Sequence, residues 1–474
     1  MNNINNKSYD LLIFGTKGDL ARRKLFPALY NLEKNNYLKN NDNIIGIGRA
    51  NWDKKKYISF IYYSLISFLN SCIDINVFNR LIKRILFINL DINNIQDFIK
   101  IKKLINCKNK IIISYFAVPF KIFKNICKGL TYINLNHENV RIIVEKPIGN
   151  SFNTSKIINK EINKYFKEKQ IFYIDHYLGK ETVLNLFVLR FANTLFLNIW
   201  NNNFIESIYI NIYEEIGIEG RWNYFDNIGQ TRDMIQNHLL QLLSIIAMSQ
   251  PNNFSSKNIK NEKINVLKSL RKIDINNIKQ YTIKGQYING VVNGKIVPGY
   301  LEELGANKNS KTETFISICT YIDNLQWSGV PFYLNTGKRL NKKKSEIIIY
   351  LKKPFINIFN KYIKKIYNNK IIINLQNKES IDINIMNKVP NLESEFLLKE
   401  VNLNFDYKKS FNYDYIYDSY ERLLLEVINN SQSLFVNKNE IELSWLWIDS
   451  IINSWKKSNQ KLYKYHAGIE IKNY

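Results

Sequence analysis

Two polar clusters hold most of the side chains in this chain that could do chemistry. The first, Asp175-His176-Tyr177-Leu178-Gly179-Lys180-Glu181, directly follows a β-like run at residues 171–174. At a strand end His176, Tyr177 and Lys180 could converge on a phosphate, each supplying a donor. The second, Gly229-Gln230-Thr231-Arg232-Asp233-Met234-Ile235-Gln236-Asn237-His238, leads into a helix predicted over residues 231–248. Asp233 and His238 share that helix five residues apart, a spacing that puts them on adjoining rather than identical α-helical faces. Oxidising an alcohol by hydride transfer requires a base for the hydroxyl proton, and a neutral imidazole near its ordinary pKa suits that task. A carboxylate on the far ring nitrogen would fix the tautomer and stabilise the imidazolium as it forms. The remaining histidines, His137 and His466, lie outside these clusters. Read from the residues alone, either clustered histidine could equally be structural.

Near the N-terminus the run Gly15-Thr16-Lys17-Gly18-Asp19-Leu20-Ala21 joins a strand at residues 11–14 to a helix at residues 19–33. Glycines there let the backbone turn tightly and approach a pyrophosphate, whose charge meets the open N–H groups of the helix start. Ala21 is small enough for close packing of helix on strand. The spacing departs from the common G-x-G-x-x-G, and a plain turn is the alternative. The second strand ends in Ile47-Gly48-Arg49. A cation at that place suits a ribose 2′-phosphate, where a carboxylate would suit the free hydroxyl. Arg49 therefore favours NADP over NAD, unless it is an ordinary solvated loop residue.

The elements that must position these groups fall into two patterns. Over the first 150 residues, strands at 11–14, 44–47, 85–90, 111–116 and 140–144 alternate with helical stretches. That order predicts a doubly wound, Rossmann-like α/β domain with a parallel sheet. Beyond about residue 175, runs at 205–213, 314–322, 345–350 and 370–375 follow without a helix between each pair. They predict a larger β+α domain with a mainly antiparallel sheet, flanked by helices at 231–248, 418–429 and 440–455. The expected division is a nucleotide-binding domain at 8–175 and a substrate-binding domain at 176–474. A chain of 474 residues exceeds the size at which a single core keeps growing, which agrees with two domains.

Composition narrows the classes. The net charge of +26 comes from lysines scattered through every segment, with only short runs such as Lys54-Lys55-Lys56 and Lys342-Lys343-Lys344. A nucleic-acid binder would concentrate cations on one face with exposed aromatics, so neither nucleic acid nor a membrane surface is the expected partner. The cysteines, at positions 72, 107, 127 and 319, have neither zinc spacing nor a paired framework. No metal is expected, and a reducing, cytoplasmic location is. No apolar run reaches the length of a membrane span, and residues 1–6 have no basic region followed by an apolar stretch, so no membrane targeting is expected.

Residues 15–25, Glu145-Lys146-Pro147-Ile148-Gly149, residues 174–181, Glu219-Gly220-Arg221, Tyr224-Phe225-Asp226 and residues 232–241 follow in an order and spacing that resembles the glucose-6-phosphate dehydrogenases. The resemblance runs over residues 9–466, through Gly329-Val330-Pro331-Phe332 and Tyr420-Glu421-Arg422-Leu423. It implies oxidation of glucose 6-phosphate to 6-phosphogluconolactone by NADP, the entry to the oxidative pentose phosphate pathway, in a homodimer or a tetramer. It makes His238 the base and Asp175 its orienting carboxylate. His176, Tyr177 and Lys180 match residues that hold the substrate phosphate, Glu214 and Asp233 match ligands of sugar hydroxyls, and Lys338 and Lys343 match basic residues of the sugar pocket. Lys146 would stand between nicotinamide and substrate. Gly15, Thr16, Lys17, Gly18, Asp19, Leu20, Arg49 and Tyr115 match the cofactor site.

The chain departs from the family pattern at Phe120, where a second proline is common, at Trp222-Asn223, and at Asn335, where arginine is frequent. It also carries few residues beyond Tyr465-His466-Ala467-Gly468. These changes touch stability or affinity while the acid-base set is complete, so activity is expected. A non-catalytic NADP-binding regulator would have no need of His238. A dehydrogenase for unphosphorylated glucose is the nearest enzymatic rival.

Overall fold

Every strand of the N-terminal sheet is followed by helical chain, and this alternation sets the architecture. The computed structural model describes residues 8–69, 71–105, 110–359, 361, 366–376, 379–392, 396–411, 415 and 417–471. The chain divides into two units. One comprises Met1–Gly179, Asn253–Lys260 and Tyr417–Glu442, and the other Lys180–Asn252, Asn261–Ile416 and Leu443–Tyr474. The first unit thus takes in two later segments besides the N-terminal stretch.

Six strands form its sheet: β1 (Tyr9–Phe14), β2 (Asn43–Gly48), β3 (Ile85–Asn89), β4 (Ile111–Phe116), β5 (Val140–Glu145) and β6 (Ile171–Ile174). Their spatial order is β3-β2-β1-β4-β5-β6, with every pairing parallel. The chain leaves β1 towards β2 on one side and later returns to lay β4 on the other, so the order reverses beside β1. In open sheets of this kind ligands bind outside the carboxyl ends of the strands at that switch point. Strands covered on both faces read as continuous apolar runs, and all residues of β1 and β4 are buried.

The second unit is built on nine strands: β7 (Ile205–Tyr213), β8 (Thr282–Ile288), β11 (Phe315–Thr320), β12 (Phe332–Gly337), β13 (Lys344–Leu351), β14 (Lys370–Asn374), β15 (Ser380–Lys388), β16 (Leu398–Asp406) and β17 (Leu462–His466). A small hairpin, β9 (Gly290–Val292) with β10 (Lys295–Val297), stands apart. The order is β16-β15-β14-β13-β7-β12-β11-β8-β17. Only β7 with β12 and β8 with β17 run parallel; the other pairs are antiparallel, as the sequence predicted. Alternation separates the two faces of the sheet. Ile208, Ile210, Ile212, Leu334, Ile347 and Ile349 turn one way and are fully buried, while Tyr209, Asn211 and Tyr213 turn the other. The Gln230 side chain donates to Thr336 Oγ1 at 2.8 Å, which ties the start of the central helical segment to β12. That segment continues as Leu240–Ala247, in which every residue is buried, the polar Gln241 and Ser244 included.

Among the described residues no helix is long and apolar enough to cross a membrane.

Candidate active site

Each unit assembles its own group of candidate residues. In the first, Gly15 follows β1 with φ +87°, and a Cβ on it would run into the Ala117 carbonyl beyond β4. Only glycine fits there. The N–H groups of Gly15 and Thr16 both reach the Ile47 carbonyl, at 3.1 and 3.4 Å, stitching the loop to the end of β2. Gly18 N–H turns back to the Gly15 carbonyl at 2.8 Å, and helical chain opens at Asp19 and runs into a π-helical turn, Ala21–Leu25, in which Ala21 is fully buried. Its first N–H groups and dipole make this end suited to an anion. Lys17 and Asp19 are exposed; the Lys17 ammonium stands 4.6 Å from the centre of the Trp52 ring, and Asp19 pairs with Arg23 at 2.6 Å. Leu20 is half-buried. Thr16 differs from its neighbours: it is fully buried, and its hydroxyl bonds to Tyr57. Arg49, just past β2, is exposed.

At the ends of β5 and β6 the same unit gathers Glu145, Lys146 and Asp175. The Lys146 ammonium lies 3.3 Å from Asp175 Oδ2, both side chains almost wholly buried. Asp175 Oδ1 accepts from the Tyr177 N–H at 3.1 Å, holding the short helix His176–Gly179 against the strand end. The His176 ring packs on those of Tyr177 and Tyr420. Tyr115, buried within β4, donates its hydroxyl to Glu145. Burial pushes the Glu145 carboxyl up to about 7; bonds from Tyr115 and Tyr420 oppose this, the Asp175 carboxylate adds to it, and Lys146 opposes it.

In the second unit β7 and β12 are parallel neighbours in register from Ile208 and Phe332 to Tyr213 and Gly337. The next residue of each, Glu214 and Lys338, therefore emerges at the same level, and their side chains pair at 2.5 Å. Glu214 N–H donates to the Gly337 carbonyl at 2.9 Å, and the Lys338 ammonium sits over the Phe225 ring. Asp233 joins this group. Burial raises its pKa, Lys338, His238 and Arg221 pull it back, and Glu214 adds to the rise. Lys343 is exposed, and its N–H donates to Glu215 at 2.9 Å. The Lys180 ammonium donates to the Leu375 carbonyl at 3.3 Å.

The helix bearing His238 corrects the expectation from its spacing. Residues Thr231–Leu239 are π-helical, with bonds spanning five residues. Asp233 and His238, placed on adjoining faces by α-helical counting, come onto one face. Asn237 supplies a cause: its buried amide accepts from the His238 N–H and donates to the Asp233 carbonyl at 2.9 Å. A side chain inserted into the ladder widens the turn. Glu313 caps the start of the same helix, its carboxylate accepting from the Thr231 N–H at 3.0 Å and hydroxyl at 2.5 Å. Gly229, at φ +74°, leaves room for it.

Asn237, Glu313, Glu145 and Tyr57 were not singled out from the sequence. Their signals were faint: a glycine ahead of a helix and a carboxylate inside the Glu145-Lys146-Pro147 motif. The departures have structural counterparts. Asn335 donates to Asn211 at 2.9 Å, and Asn211 to Glu346 at 3.0 Å, a buried amide chain across three strands. Trp222 donates its indole N–H to the Tyr300 carbonyl at 3.1 Å. Phe120 opens a single turn, Phe120–Ile122.

Residues 12–185 match the profile of the glucose-6-phosphate dehydrogenase NAD binding domain, and residues 187–471 that of the C-terminal domain. The chain is 48% identical over 459 residues to glucose-6-phosphate 1-dehydrogenase of Dickeya dadantii (strain 3937), covering 97% of this chain and 94% of that protein. It is 52% identical over 450 residues to the Buchnera aphidicola subsp. Baizongia pistaciae (strain Bp) enzyme of that name, covering 94% and 92%. A solved glucose-6-phosphate dehydrogenase in complex with its substrate superposes with a TM-score of 0.90 at 31% identity, covering 98% of this chain and 96% of that one. With a six-stranded parallel sheet in one unit, Asp233 and His238 on a widened helix in the other, and these matches across both, the chain belongs to the glucose-6-phosphate dehydrogenase family.

Proposed function

We propose that His238 removes the C1 hydroxyl proton as this chain oxidises D-glucose 6-phosphate to 6-phospho-D-glucono-1,5-lactone, the hydride passing to NADP. The observation that carries this reading is the π-helical turn, which brings His238 into the electrostatic group of Asp233, Glu214 and Lys338. A base among carboxylates that can accept from sugar hydroxyls suits alcohol oxidation. Asp175 supplies the carboxylate that the family pattern pairs with the base. His176, Tyr177 and Lys180 take the phosphate, Glu214 and Asp233 the sugar hydroxyls, and Lys338 and Lys343 complete the basic wall of the pocket. Lys146 lies between nicotinamide and sugar.

For the cofactor, residues 15–20 receive the pyrophosphate, Arg49 the 2′-phosphate, and Tyr115 lines the strand-end side of the site. NADP supplies the hydride acceptor; the residues bind it, orient it and move the proton. Residues 8–175 form the NADP-binding domain and 176–474 the substrate-binding and dimerisation domain of a cytoplasmic homodimer.

Initial rates of NADPH or NADH formation with glucose 6-phosphate or glucose test the assignment. Glucose 6-phosphate with NADP is the expected pair. His176→Ala or Lys180→Ala should weaken use of the phosphorylated sugar by roughly ten- to 150-fold, the worth of a charge-assisted bond, and leave use of glucose nearly unchanged. Equal losses on both sugars would show that these residues do not read the phosphate.

A further inference from the structure

Tyr57 stands on the helix Lys54–Phe68, whose start is capped by the Asp53 carboxylate accepting from the Lys56 N–H. Its side chain is fully buried, and its hydroxyl meets that of Thr16, equally buried, at 2.5 Å. The phenol lies across Gly46 in the middle of β2, where the Cβ of any other residue would collide with it. The ring also packs against Phe26, Trp52 and Phe87. Trp52 in turn carries the Lys17 ammonium over its face. One side chain thus touches the nucleotide loop through Thr16, strand β2 through Gly46, and the aromatic shelf beneath Lys17 through Trp52. Burial raises the Tyr57 phenol far above its ordinary pKa, so it remains a neutral hydroxyl able to donate.

We propose that Tyr57 is a positioning residue for NADP, its bond to Thr16 fixing residues 15–20 in the shape that receives the pyrophosphate before the cofactor arrives. A loop with two glycines has many conformations to lose on binding. A bond from a buried scaffold removes part of that loss in advance, and affinity rises accordingly. Gly46 is part of the device, because the phenol reaches Thr16 only by crossing a residue without a side chain. The inference rests on reading the loop as the pyrophosphate cradle.

The test is a fluorescence titration with NADPH, together with thermal unfolding, on wild type, Tyr57→Phe, Thr16→Val, the double variant and Gly18→Val. Tyr57→Phe keeps the ring and its packing, so the fold is retained. Each of the two single substitutions should weaken NADPH binding about five- to tenfold and leave glucose 6-phosphate affinity unchanged. The double variant should be no weaker than either, since both remove the same bond. A lower melting temperature with unchanged NADPH affinity in Tyr57→Phe would make the contact merely structural and overturn the proposal. Gly18→Val places a side chain where the pyrophosphate must approach. If it abolishes NADPH binding while Tyr57→Phe binds normally, the role of Tyr57 alone falls; if Gly18→Val binds normally, the cradle reading falls and the proposal with it.

Discussion

The carbonyl of Asp233 and the N–H of His238 are bridged by one side-chain amide, that of Asn237. In an α-helix five residues turn about 140° beyond a full circle, which would aim the two side chains apart. The π-helical run closes that angle. Replacing Asn237 by leucine, close in size but without the amide, should let the helix tighten and turn His238 away. Turnover should fall by up to about 10²-fold, the cost of a small misplacement at a reacting centre, with NADPH affinity unchanged. Steady-state rates and a fluorescence titration check this; unchanged turnover would mean that the widened turn does not depend on Asn237.

Glu145 gives a prediction about stability. Its folded pKa of about 7 lies above the value near 4.3 of an unfolded chain. Between these values the folded state holds more protons, so stability falls as pH rises through that interval. The loss approaches about 4 kcal/mol. Glu145→Gln removes the titration while keeping an acceptor for Tyr115. Melting temperatures followed from pH 5 to pH 8 should therefore decline more in wild type than in the variant. Parallel curves would show that Glu145 titrates in its ordinary range.

Much of the first unit was legible because its strands carry local signals. Runs such as residues 111–116 and 171–174 have the predicted bounds in the structure. Strands β15 and β16 were missed although residues 381–385 and 401–405 alternate apolar with polar in a strand's period of two, with Asp382, Asn384, Asn402 and Asn404 at the polar positions. These polar groups bond across strands, Asn402 and Asn404 both donating to Asp382 at 2.9 and 2.7 Å. Strand β17 pairs with β8 from the far end of the chain, a partnership no local window contains. The identities of Glu214, Asp233 and Lys338 came from the family pattern. Their convergence depends on the parallel register of β7 with β12 and on a π-helical pitch, neither of which residue spacing encodes.

Arg49 should set the preference between cofactors. A guanidinium can meet the 2′-phosphate with two parallel donors, whereas NAD offers only a hydroxyl there. Arg49→Ala should raise the Michaelis constant for NADP roughly ten- to 150-fold and leave that for NAD nearly unchanged. Because Arg49 is exposed, added salt should narrow the wild-type gap between the cofactors. An unchanged ratio of specificity constants would make Arg49 an ordinary surface residue.

The most direct test of the mechanism is turnover and glucose 6-phosphate affinity in His238→Asn, Asp175→Asn and the double variant. Asparagine keeps size and polarity but cannot take the proton. His238→Asn should lower turnover by roughly 10²–10⁴-fold, while calorimetry shows glucose 6-phosphate bound nearly as in wild type. Asp175→Asn should slow turnover too, and on the proposed pairing of the two groups the double variant should be far from additive. Retained turnover in His238→Asn would contradict the assignment of His238 as the base.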